Sequence, residues 1–126
     1  MGFRSGNDYT KEISLFPSKA RTTHASSAPF SGGGYSGLVI DINISAFTGT
    51  SITFTLEFYD TAAGAWVTLL ASAAKSATGR FTLTVDPRIA SSANVAVQSG
   101  PRRKMRLTPS GTITSVTYSA LATLNG

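Results

Sequence analysis

Leu38-Val39-Ile40-Asp41-Ile42-Asn43-Ile44-Ser45, followed after Gly49 by Ser51-Ile52-Thr53-Phe54-Thr55-Leu56-Glu57-Phe58-Tyr59, is the stretch that decides the fold. Large apolar side chains recur at every second position, and the places between are polar apart from Val39. A period of two places Leu38, Ile40, Ile42 and Ile44 on one face of an extended chain, with Asp41, Asn43 and Ser45 on the other. The second run repeats the pattern, with Ile52, Phe54, Leu56 and Phe58 opposite Glu57 and Tyr59. With Gly49 read as a turn, the two runs predict an antiparallel pair with one greasy and one wet face.

The same signal continues outward. Asp60-Thr61-Ala62-Ala63-Gly64 has the length and residues of a hairpin turn, and Trp66 to Leu70 follows as a strand. Residues 71–78 are ambiguous between a helical turn and a loop. Arg80 to Val85 is a strand with Phe81, Leu83 and Val85 inward, ended by Asp86-Pro87 because proline cannot donate to a ladder. Residues 88–100 form a crossing segment. A strand from Arg102 to Thr108, a turn at Pro109-Ser110-Gly111 and a last strand from about Thr112 to Leu124 complete the chain.

Upstream, residues 1–34 lack a sustained period. They read as an extended N-terminal arm, with one or two short strands between 12 and 28 and a loop at Ser31-Gly32-Gly33-Gly34. The expected organisation is therefore an arm over 1–34 and an all-β domain over 35–126. That domain is expected as a single antiparallel β-sandwich, jelly-roll or immunoglobulin-like, of about seven to eight strands.

Composition limits the chemistry. The chain has 126 residues, the size of one domain. Charged residues make up 13%, well below the roughly 25% of an average soluble protein, and Ser and Thr supply roughly a quarter of the chain. A surface so poor in charge fits one that is covered in a complex. With no cysteine, thiol catalysis and thiolate zinc sites are excluded. The N-terminus lacks the apolar run of a secretion signal, so the protein is expected to be soluble when made.

Six acids are scattered along the chain. Asp41 and Glu57 are the one pair that could approach across paired strands, and solubility explains them more simply. His24 is the sole histidine, too little for a triad or a metal site by itself. The expectation is a protein that is no enzyme and has no catalytic residue, metal or cofactor.

The net charge of +5 arises mainly from the shortage of acids. Its densest source is Pro101-Arg102-Arg103-Lys104-Met105-Arg106-Leu107-Thr108. On a strand, Arg102, Lys104 and Arg106 would form an outward basic stripe about 13 Å long. Three readings stand: nucleic-acid backbone binding, a contact with an acidic protein, or a charged edge strand that blocks aggregation. The absence of interleaved aromatics disfavours a single-strand stacking platform. Trp66 has two readings, packing between the sheets or stacking on a sugar with Tyr59 or Tyr35.

Taken together, Gly64-Ala65-Trp66-Val67, Gly79-Arg80-Phe81-Thr82-Leu83 with Asp86-Pro87, and Pro101 to Gly111 ahead of Val116-Thr117-Tyr118-Ser119 resemble small β-sandwich virion proteins of tailed bacteriophages. The resemblance covers residues 35–124, and an aromatic common near the position of Lys104 is missing here. It implies a virion component made in the host cytoplasm. A capsid decoration protein on the major capsid lattice, favoured as a trimer, comes first; a tail, neck or baseplate adaptor or a carbohydrate-binding module are the alternatives. The implied partners are virion proteins, with no membrane and no nucleic acid. Contacts are expected through Arg102, Lys104 and Arg106 and through Phe3, Arg4, Tyr9 and Lys11 of the arm, which could add a strand to a neighbour's sheet.

Overall fold

The computed structural model describes residues 10–126. Its six strands are β1 (Thr10–Arg21), β2 (Gly37–Asp60), β3 (Ala65–Ala71), β4 (Gly79–Val85), β5 (Ala96–Val97) and β6 (Met105–Asn125). The all-β expectation holds. The described residues form one mixed sheet, in the order β1-β6-β2-β4-β5 with β3 also on β2, and β4 pairs β5 in parallel. Two separate antiparallel sheets of seven or eight strands are not what forms.

The reason lies in β2 and β6, which run antiparallel to each other from Gly37↔Asn125 to Phe58↔Met105. What the sequence presented as a hairpin around Gly49 is one strand, and the turn expected at Pro109-Ser110-Gly111 lies inside another. Each strand keeps its partner all the way along, so neither chain has to reverse. Register shifts between Ile44 and Ala46 and on both sides of Gly49 insert extra residues, and such bulges bend and twist a strand.

The bend folds the sheet over itself. Phe54 lies opposite Pro109 and Tyr118 opposite Ile44. Nine residues of straight strand would separate Pro109 from Tyr118 by about 30 Å. Yet the Phe54 and Tyr118 rings meet edge to face with centroids 5.0 Å apart, and Phe54 also lies 5.9 Å from Phe81 of β4. One layer thus contains β1, the C-terminal half of β6, the N-terminal half of β2, β4 and β5. The other contains the remaining halves of β2 and β6, with β3. The inward residues of both are buried: Leu38, Ile40, Ile42 and Ile44 from one half of β2, and Ile52, Phe54 and Leu56 from the other.

Residues 10–34 are part of this body and not an arm beside it. β1 pairs β6 from Thr10↔Asn125 to Arg21↔Val116, burying Leu15 and Phe16. The chain then continues along the same edge of β6. Ser27 N–H donates to the Leu107 carbonyl, Leu107 N–H to Ser27 Oγ, and Phe30 and Met105 exchange both backbone bonds. His24 Nε2 lies 2.9 Å from the Gly111 carbonyl, a structural bond. The backbone groups of 105, 107 and 111 therefore face this strap. Pro109 shares their parity, so the donor it lacks falls on the strap side and no β2 bond is lost. Gly32 is held in place too, since a Cβ there would stand 2.5 Å from Pro101 Cβ and 2.7 Å from Met105 Cε.

Elsewhere, residues 72–78 form no helix, and Lys75 bridges to Ile52. After β4, Asp86 accepts bonds from the Arg88 backbone N–H, Nε and Nη2. Those bonds hold its carboxyl below the usual carboxylate range.

Tyr118 is the largest fully buried side chain, and its hydroxyl has no partner among the described residues. Burial pushes the phenol pKa up, opposed by the Arg21 guanidinium 4.3 Å from its ring centre. Because the folded value is raised, the associated stability is present below the ordinary value of about 10 and is lost as pH climbs through the raised one. Tyr118→Phe removes a buried donor with no acceptor. We expect it to be neutral or stabilising by up to about 1 kcal/mol at pH 7 and to flatten the alkaline decline. Urea midpoints at pH 7 and pH 10.5 check both; a clear loss at pH 7 would mean that the hydroxyl has a partner.

Candidate functional site

The turn at 60–64 fixes where Trp66 points. Asp60 Oδ1 accepts the Ala62 and Ala63 N–H groups and the Asp60 carbonyl accepts that of Gly64, setting the register Asp60↔Ala65 and Tyr59↔Trp66. Directly opposed residues share a face. Tyr59 is outward by alternation with Phe54 and Leu56, so Trp66 is outward as well. The Tyr59 and Trp66 rings pack edge to face at 5.4 Å. Of the two readings of Trp66, packing between the sheets is therefore the one the structure corrects.

β6 brings the cations to the same face. Glu57 lies opposite Arg106, and the Tyr59 N–H donates to the Lys104 carbonyl. Arg106 stacks over Trp66 at 4.2 Å; the Lys104 ammonium stands 4.7 Å above the Tyr59 ring and 5.7 Å above that of Trp66. Glu57 Oε1 accepts Arg106 Nε at 2.8 Å and the Thr108 hydroxyl at 2.6 Å. Arg102 lies 4.3 Å over Phe58. Contacts of this kind are individually worth about 0.5–1 kcal/mol at exposed sites, enough to restrict where each charge sits.

Two expectations about the basic segment change. The strand starts at Met105, not Arg102; residues 103 and 104 are a bend, and Arg103 is exposed. Nor is β6 an edge, since it lies between β2 on one side and β1 with the strap on the other. The basic segment is therefore not a charged edge strand that blocks aggregation.

Of the sequence-derived contact residues, Lys104 and Arg106 come together over Tyr59 and Trp66, while Arg102 lies over Phe58, which packs against the core. Lys11 lies in the other layer, on β1 opposite Leu124, and Phe3, Arg4 and Tyr9 lie outside the described residues. Tyr35 packs against the core. Asp41 and Glu57 do not face each other across strands: both belong to β2, on opposite sides of the bend. Asp41 lines a shallow depression of about 380 Å³ with Asn43, Arg80, Thr82 and Ser119, which gathers no second carboxylate. Among the described residues, no three His, Asp or Glu side chains come together as metal ligands.

Sequence reasoning missed the aromatic half of the patch. The needed signal was present, because counting back symmetrically from the 60–64 turn pairs Trp66 with Tyr59. That those two rings lie under Lys104 and Arg106 depends on the β2–β6 register, roughly 40 residues away along the chain, which no local pattern encodes.

Fold and site together describe a small β-protein, one sheet folded over itself, with a preformed basic–aromatic face. No protein-family model and no curated protein matches the chain. Among solved structures, the crystal structure of SPBc2 prophage-derived protein YomS matches with a TM-score of 0.54 at 14% identity, over 90% of this chain and 92% of that one. The likeness is one of fold, extending over nearly the whole of both chains.

Proposed function

We infer that the chain is a non-enzymatic structural protein of a tailed-phage particle, attached in homo-oligomers to the major capsid lattice as a decoration protein. The observation that carries this reading is the fold shared with a prophage-derived protein over 90% of this chain. It joins the resemblance of residues 35–124 to small virion proteins. Structural bonds made by three of the acids support the non-enzymatic reading: Glu57 fixes Arg106, Asp60 shapes its turn and Asp86 clamps Arg88. A face carrying several cations and few acids suits a protein surface of opposite charge.

Quantitative gel analysis of purified particles tests the reading. The expected result is a copy number comparable to that of the capsid subunit, and particles lacking the protein that lose heat resistance. A few copies per particle would move it to the neck or tail, overturning the decoration role, and absence from particles would overturn the virion reading altogether.

A further inference from the structure

The geometry points to the Tyr59–Trp66–Lys104–Arg106 face as a docking surface for an extended acidic protein segment with carboxylates at alternate positions. Lys104 and Arg106 converge there, and the neighbouring carboxylates are already engaged. Glu57 is taken by Arg106 and Thr108, and Asp60 by two backbone N–H groups. No carboxylate reaches Lys104, Arg102 or Arg103 among the described residues. Arg106 uses Nε for Glu57, leaving both Nη groups without a hydrogen bond to the described chain.

Two details decide the class of partner. Lys104 and Arg106 stand 5.7 and 4.2 Å from the same Trp66 ring centre, so their charges lie within reach of alternate side chains on a partner strand, which are about 7 Å apart. Second, cations already stand over Trp66 and Tyr59. Bases or sugar rings need open aromatic faces to stack on, whereas a carboxylate needs only the cations above them. Because the rings and Glu57 hold the cations in place, little side-chain freedom remains to be lost on binding.

This inference rests on the binding role proposed above but not on the particle, and its test needs only the purified full chain. Trp66 is the one tryptophan, so its fluorescence reports directly on the face. A peptide of five Glu-Ser repeats is titrated at low and at physiological salt, beside a peptide of the same composition with its glutamates in one block and an oligothymidylate of equal charge. The alternating peptide is expected to bind most tightly and to shift the emission. Lys104→Ala, which changes an exposed group of this face, should weaken it up to about five-fold. Arg80→Ala, on the other layer, should change it less than about two-fold. Equal weakening by Arg80→Ala, tighter binding of the oligothymidylate, no preference for the alternating peptide, or no binding at all would each overturn the proposal. Particle composition would be untouched by any of these outcomes, so the two readings fail separately.

Discussion

Gly111→Val is expected to destabilise the protein by about 3 kcal/mol or more, a large share of the roughly 5–15 kcal/mol available to a domain. Gly111 sits in β6 opposite Ile52 with φ at +113°, a conformation that costs an L-residue about 1–3 kcal/mol. A Cβ there would also run into the Ser51 carbonyl oxygen and stand 3.2 Å from its carbon and 3.3 Å from Ile52 Cα. Those are backbone atoms of the paired strand, so no rotamer change relieves the contact. Gly49, with φ at +145°, meets the same difficulty from the other strand, 2.7 Å from Ile113 Cα. The two glycines let β2 and β6 cross closely where the sheet turns over. Urea unfolding measures the effect, with Gly100→Ala as control, since a Cβ there meets nothing within 4 Å. If Gly111→Val and Gly100→Ala unfolded at the same midpoint, the close crossing at the bend would be wrong.

These glycines also show what the sequence could and could not disclose. Alternation assigns faces correctly because it reports a local fact, the side on which each residue lies. Leu38, Ile40, Ile42, Ile44, Ile52, Phe54, Leu56, Leu83 and Val85 are all buried as their parity predicts. Whether a glycine between two such runs reverses the chain or merely bends it depends on what lies alongside. Gly49 and Pro109-Ser110-Gly111 carry the residues of turns, yet each faces the other's strand and is held in register by it. The choice between hairpin and bend was made by a pairing some 60 residues away. The same holds for residues 22–30, which have no period of their own because they follow the edge of β6 by a few specific bonds.

The site was legible in halves. The basic run at 102–106 stands out in any reading, and Trp66 is conspicuous as the single tryptophan, but each invites a bland role when taken alone. What changes their meaning is juxtaposition: the run leads into a central strand, so it protects no edge, and Trp66 is on the wet face, so it fills no core. Partly desolvated by its two hydrogen bonds and its neighbours, Glu57 then turns from a solubilising acid into the group that aims Arg106.

Phe54→Ala should cost about 3–5 kcal/mol, the usual range for emptying a fully buried aromatic site. Val67→Ala, at a position 37% exposed, should stay within about 0.5 kcal/mol. The sharper measurement is a double-mutant cycle between Phe54→Ala and Tyr118→Ala. On a straight sheet the positions opposite these rings would be about 30 Å apart, and the two losses would add. In the folded-over sheet the rings touch edge to face, with Phe81 against one and Phe16 against the other, so the double variant should lose less than the sum by about 0.5–1.5 kcal/mol. The milder pair Phe54→Leu and Tyr118→Leu serves if the alanine variants do not fold. Additive losses would leave the bend unsupported. They would remove with it the two-layer body that turns Trp66, Lys104 and Arg106 toward solvent.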